Sequence, residues 1–245
     1  ALQALPYLME YEHECAEQTF ARYYANSIAT EIINSNPKIA TLFTSWKENP
    51  KATSKLTQNE ALKSIVLNET PWLLDAENED LKNKRLALLM DLNTMKESQV
   101  TTFKKLVEKQ NSSGGFSWFN GGEENVFITQ HIVSGFGHLE KMFPLMDAEF
   151  ETITAKALPY LDANFIKTNS TKSARSIYNG YSNLHYMYAR SFYLDKTPIS
   201  KKIDSLITIQ KKEHKSKWLT YSLYRKALLA LAMHRYNDKE FAKKI

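Results

Sequence analysis

Cysteine occurs once in the 245 residues, at Cys15, and a glutamine follows three places later at Gln18. On a helical turn, side chains three apart are neighbours, with Cβ atoms about 5–6 Å apart. A thiol so placed can reach the glutamine carbonyl, and loss of ammonia would leave an internal thioester. That bond joins residues one helical turn already holds together, so it adds little as a staple. Its use would be chemical, as a stored acyl group. Cys15 would be the leaving group and Gln18 the source of the acyl carbon, which a lysine amine or a hydroxyl on a target attacks. Glu17 either orients the bond or is a first-turn acid stabilised by the helix N-terminus. The process is consumed in one event, so the expectation is no enzymatic turnover, no cofactor and no metal ion. The plainer alternative is that a lone Cys serves as a small buried hydrophobe.

The elements that must position this pair read as helices nearly throughout. The first runs from about Cys15 to Asn34, with Phe20, Tyr23, Tyr24 and Ile28 on one broad face, and Asn36-Pro37 ends it. Leu56 to Leu67 reads as a short helix, and Thr70-Pro71-Trp72 as a fresh start with Thr70 capping and Pro71 in the first helical position. Glu79 to Gln110 carries Leu81, Leu88, Leu92, Met95, Phe103 and Leu106 at helical spacing, with a break near Thr101-Thr102. Gly114-Gly115 and Gly121-Gly122 bracket a loop. Further helices are expected over Val126 to Met142, from Asp147 as cap with Phe150, Ile153, Ala157, Leu161 and Phe165 inward, and over Tyr178 to Leu194, Ile203 to Gln210 and Trp218 to Tyr236. No segment shows a convincing period of two. Gln110 precedes Trp118 by eight positions and Gln210 precedes Trp218 by eight, a faint repeat of the kind found when helical hairpins stack into a ring.

Composition agrees with helices. Seven Gly and seven Pro are too few for the many turns of a sandwich or barrel, and 43% hydrophobic residues suffice for one sizeable core. The expectation is a single all-α domain over residues 1–245, an α/α toroid of hairpins left incomplete in a piece of a longer multidomain chain. Ala1 to Pro6 carries neither an initiator Met nor a basic-then-apolar leader, and Phe241 to Ile245 stops inside a charged, helix-compatible stretch. No apolar run approaches the ~18 residues that cross a bilayer. Net charge is +5, with the basic residues read as interleaved with acids; pairs such as Lys201-Lys202 and Lys211-Lys212 fit a solvated helix face rather than a phosphate track, and no nucleic-acid partner is expected. One Cys allows no intrachain disulfide, so cysteine usage says nothing of the compartment.

Two segments together carry a family resemblance. Glu14-Cys15-Ala16-Glu17-Gln18-Thr19-Phe20-Ala21-Arg22-Tyr23-Tyr24-Ala25-Asn26 resembles the thioester region of bacterial alpha-2-macroglobulin homologues, and Gln110 to Phe119 resembles the first Gly-Phe loop of the same domain. Ile128-Thr129-Gln130 follows as a helix start does there. The family usually has Pro-Tyr where this chain has Glu12-His13. The resemblance implies a broad-range protease inhibitor whose thioester acylates a trapped protease after cleavage of a bait region. It also implies neighbouring macroglobulin-like domains as partners, and export to the periplasm or cell surface. Related complement proteins use a histidine to favour hydroxyl targets; His13, His131 and His185 are the candidates here, and Trp118 and Phe119 could shelter the bond from water.

Two rival classes stay open. Toroidal enzymes of the prenyl or terpene type need an Asp-rich metal cluster or a Cys/His/Asp zinc set, and neither pattern is present. A toroidal glycosidase needs only two carboxylates, which can come from anywhere in the sequence. The third reading is a non-reactive helical interaction module.

Overall fold

The computed structural model describes residues 14–35, 38, 41, 92–143, 147–170 and 177–245. The expected helix over Leu56 to Leu67, the start at Thr70-Pro71, the stretch from Glu79 to Asp91, and His13 lie outside the described residues. Within them the fold is all-α: eight α-helices and one 3-10 turn, with two isolated bridges in place of any strand. The helices are α1 (Ala16–Ser35), α2 (Leu92–Val107), α3 (Val126–Met142), α4 (Asp147–Ser170), α5 (Ile177–Arg190), α6 (Lys201–Lys217), α7 (Leu223–Arg235) and α8 (Lys239–Ala242); the 3-10 turn is Trp218–Thr220. They fall into two compact units, divided after Val107.

In the first unit α1 packs on α2. Ala16, Phe20, Tyr23, Ala25 and Ala29 are buried on α1, as are Met95 and Leu106 on α2, while Tyr24 and Ile28 are only half-buried. The Tyr23 and Phe103 rings meet at 5.5 Å. Polar pairs fix the register at two neighbouring levels: Asn26 Nδ2 donates to Ser98 Oγ at 3.2 Å, and Gln99 Nε2 to Ser27 Oγ at 2.8 Å. The break expected near Thr101-Thr102 is absent. Thr102 is buried and its hydroxyl bonds the Ser98 carbonyl one turn back, a bond threonine can make without leaving the helix.

The second unit is built on α4 and α5. Phe150, Ile153, Ala157, Leu161 and Phe165 all lie inward on α4, as their spacing requires. Asp147 is itself helical rather than a cap preceding the helix. On α5 every residue from Asn183 to Arg190 is buried. Arg190 is among them, and its charge is answered by Asp162 of α4. Arg190 Nε donates to Asp162 Oδ1 at 3.0 Å, and Tyr186 Oη donates to the same oxygen at 2.6 Å. Burial and the neighbouring Asp162 carboxylate push the Tyr186 hydroxyl well above its ordinary range.

Several helix limits differ from the sequence pattern: α2 ends at Val107 rather than Gln110, α5 ends at Arg190 rather than Leu194, and two further cases show why. The buried stripe of α6 is Ile203, Ile207, Gln210 and His214, so the helix runs a full two turns beyond the last apolar position. Gln210 Nε2 donates to Asn169 Oδ1 at 3.1 Å, and His214 Nδ1 bonds Tyr221 Oη at 2.8 Å; polar groups continue the stripe because each has a partner. The expected helix from Trp218 to Tyr236 is instead a 3-10 turn, an extended link and α7, because Ser222 caps Arg225 N with its hydroxyl and starts a new helix. The two Gln–Trp pairs are not equivalent: Gln110 lies in a loop and Gln210 within α6.

Removing Arg190 leaves the half-buried Asp162 carboxylate without its counter-charge, so Arg190→Met should cost up to about 3–5 kcal/mol. Adding Asp162→Leu should restore only part of that loss, because the Tyr186 hydroxyl then loses its acceptor. Urea unfolding followed by far-UV circular dichroism reads both, and a single variant as stable as the parent would mean the pair contributes nothing.

Candidate functional site

Cys15 immediately precedes α1, and its carbonyl accepts the first helical hydrogen bond from Thr19 N at 2.9 Å. It therefore occupies the N-cap position, with Ala16, Glu17 and Gln18 as the first three helical residues. The Gln18 side chain folds back along this turn, and Cys15 N donates to Gln18 Oε1 at 3.4 Å. This is the reciprocal half of a capping box, in which the third helical residue answers the N-cap amide. Both side chains are half-buried, and Glu17 is exposed on the same turn. Glu14, just before the pair, forms an ion pair with Lys105 of α2. Nothing in the sequence pattern marked Lys105, because its partner lies ninety-one residues away.

The glycine-rich loop belongs to the second unit. Bridges between Gln110 and Phe116 and between Ser117 and Glu124 hold it as a double turn. Gln110 Nε2 donates to Gly114 O at 3.0 Å and to Ile153 O of α4 at 2.9 Å, which ties the loop to that helix. Gly114 has φ +96°, and a Cβ there would lie 2.0 Å from Lys156 O. Only glycine fits. Phe116 is buried, and its amide donates to Thr129 Oγ1 at 2.8 Å; Asn125 caps α3 by accepting from Ile128 N at 3.1 Å. Lys109 is buried, with its ammonium donating to Asn120 Oδ1 at 2.8 Å.

The aromatic residues divide. Phe116 is the core residue of the loop, whereas Phe119 is 65% exposed and Trp118 half-buried. Trp118 stacks on Phe127, with ring centroids 6.5 Å apart, and Phe127 lies 5.7 Å from His185. Burial, with a smaller contribution from the nearby His131, lowers the His185 imidazole to about 4. Two of the three histidines singled out from the sequence are thus neighbours beneath this loop. Sequence spacing could not have placed them there, since they sit on α3 and α5.

Among the described residues no group of three or more His, Cys, Asp or Glu side chains is arranged to hold a metal ion, and no helix is long and apolar enough to cross a membrane. Compared with known proteins, the chain matches no family model, no curated protein and no solved structure.

Two outcomes follow from this geometry. Gly114→Ala should lower stability by at least about 1–3 kcal/mol from the backbone conformation alone, with the overlap on Lys156 in addition. Gly121→Ala, where φ is +74° and no atom lies within 4 Å of the added carbon, should lose only about 1–2 kcal/mol. Equal losses in urea unfolding would contradict the close approach.

The second concerns pH. His185 is held neutral in the fold at about 4, against 6.5 for a free imidazole, so the unfolded chain binds more protons between those values. Its contribution is complete above pH 6.5 and is lost as pH falls toward 4. His214, also lowered to about 4 by burial, acts in the same direction. The urea midpoint should therefore drop between pH 7 and pH 4, and His185→Gln should flatten part of that slope.

Proposed function

We propose that this chain carries the thioester domain of a bacterial alpha-2-macroglobulin-like protease inhibitor, in which Cys15 and Gln18 form the internal thioester. The observation that supports this most is the return of the Gln18 carboxamide onto Cys15, with Oε1 3.4 Å from the Cys15 amide. In this reading the Cys15 thiol adds to Gln18 Cδ. The oxyanion developing on Oε1 meets the Cys15 N–H and the positive end of α1. Ammonia departs with the thiol proton, leaving a neutral acyl sulfide. A lysine amine or hydroxyl of a captured protease then attacks Cδ, an amide or ester forms, and the proton it loses returns to sulfur as the thiol.

The acyl group is spent once, so the chain acts stoichiometrically and not as an enzyme. Water competes for the same carbon, and neighbouring macroglobulin-like domains would exclude it until a protease cuts the bait. Glu17, exposed beside the pair, would contribute orientation or favourable charge at the helix start. The helices would then be hairpins of an α/α toroid, and the protein would work in the periplasm or at the cell surface.

The same hydrogen bond favours one rival. A Cys-x-x-Gln capping box can simply start a helix, and the module would then be non-reactive. Mass and thiol content separate the two. The thioester form should be lighter than its sequence by one ammonia, methylamine should add to Gln18, and one thiol should appear at Cys15 as it does so. Cys15→Ala and Gln18→Ala should each abolish the change. An intact mass equal to the sequence, with the thiol titratable from the outset, would overturn the proposal. Gln18→Ala would then affect only stability, by about 1 kcal/mol or less.

A further inference from the structure

Cations and acids do not alternate everywhere. Residues 201–245 hold twelve Lys or Arg against four Asp or Glu, a net +8 in a chain whose total is +5. Between Glu213 and Asp238 there is no acid at all, while Lys215, Lys217, Arg225, Lys226 and Arg235 all fall there. The flanking acids pair with two of these lysines, Glu213 with Lys217 and Asp238 with Lys215, and the stretch coincides with the largest apolar exposure among the described residues. Leu219 in the 3-10 turn is 72% exposed, and Leu223 and Tyr224 at the start of α7 are 85% and 58% exposed. Leu231, two turns along from Leu223 on the same helix face, is 45% exposed.

The chain reverses at this point, from α6 through the 3-10 turn into α7, so the two leucines stand at a tip. Aromatic side chains form its base. Trp218 packs edge-on to Phe241 at 6.0 Å, Lys226 Nζ lies 5.6 Å from the Trp218 ring centre, and the Arg225 guanidinium lies 3.9 Å from that of Tyr221. Aliphatic, aromatic and cationic side chains thus lie together on this link. A membrane interface offers a partner for each: acyl chains, interfacial region and anionic headgroups.

We propose that the tip from Lys217 to Lys226 docks on bilayers containing anionic phospholipid, with Leu219 and Leu223 entering the acyl boundary and Lys217, Arg225 and Lys226 facing the phosphates. A second copy of the chain is a poorer occupant, because a two-fold contact through this face would set like charges against each other. A folded acidic protein is poorer too: leucines this prominent need recesses in a rigid partner, whereas lipid deforms around them. The inference is independent of the thioester reading, since it uses none of its residues.

Cosedimentation of the whole chain with vesicles tests it. Vesicles of phosphatidylcholine with phosphatidylglycerol should bind the protein, and vesicles of phosphatidylcholine alone should bind it at least about tenfold more weakly. Leu219→Ser/Leu223→Ser and Lys217→Gln/Lys226→Gln should each weaken binding about tenfold or more, with unchanged circular dichroism. Leu219, Leu223 and Lys217 are exposed and Lys226 is half-buried, so the variants should fold. In the lysine variant the salt dependence should also diminish. Absence of binding to anionic vesicles would overturn the proposal. So would binding indifferent to the two leucines, which would reduce it to bulk charge. Concentration-dependent dimers broken by the leucine variants would point to a second copy instead, and retention on polyglutamate without vesicle binding would point to an acidic protein.

Discussion

A guanidinium with no exposure to water constrains the whole second unit. Arg190 ends α5 and is fully buried, so its hydration must be replaced by protein groups in fixed places. Asp162 supplies the counter-charge, Tyr186 donates to the same carboxylate oxygen, and the Tyr193 carbonyl accepts from Arg190 Nη1 at 3.5 Å. Isolated, such a charge would be expelled or the fold would loosen around it; paired, it is weak as a source of stability. What it supplies is register. Asp162 and Arg190 join α4 to α5, and a slip of one helix past the other would break that pair.

The register of α4 in turn decides where the glycine loop can rest. Gln110 reaches the Ile153 carbonyl, and Gly114 lies against the Lys156 carbonyl, two turns or so before Asp162 on the same helix. On the other side of the ion pair, Asn169 near the end of α4 exchanges hydrogen bonds with Asn183 of α5 at 2.9 and 3.1 Å, and accepts a third from Gln210 of α6. One helix thus carries three successive polar fixings: Ile153 to the glycine loop, Asp162 to α5, and Asn169 to both α5 and α6. Apolar packing could tolerate small slips among these helices. The hydrogen bonds could not.

That division also explains what was legible in the sequence. Helices whose inward face is apolar were visible from spacing alone: the bounds of α3 follow from the pattern, and the five inward residues of α4 are all buried. The pattern failed where polar residues took over a buried stripe. The apolar rhythm of α6 stops at Gln210, yet the helix continues because His214 finds Tyr221. Ser222 ended the run from Trp218 although its neighbours are apolar, since a cap hydroxyl outweighs a short apolar run. At the candidate site, the Cys15 N to Gln18 Oε1 hydrogen bond lies within one turn, where spacing alone brings neighbours together. The Lys105–Glu14 pair and the His131–His185 proximity depend on folding across many residues, and composition carries no trace of them.

The residue choice at position 15 bears on how the two readings of the α1 start compare. If the turn existed only to cap a helix, Ser, Thr or Asp would do it better, because an oxygen accepts the orphan amides strongly and a thiol accepts them weakly. Substitution of a good cap by a poor one costs about 1 kcal/mol. Holding Gln18 back along the turn costs side-chain entropy of up to about 2 kcal/mol, in return for one half-buried bond of 3.4 Å, long for its type. Neither choice is economical for stability. Both would serve the acyl storage proposed above: sulfur as the leaving atom, and a carboxamide held against the Cys15 amide at the positive end of a helix.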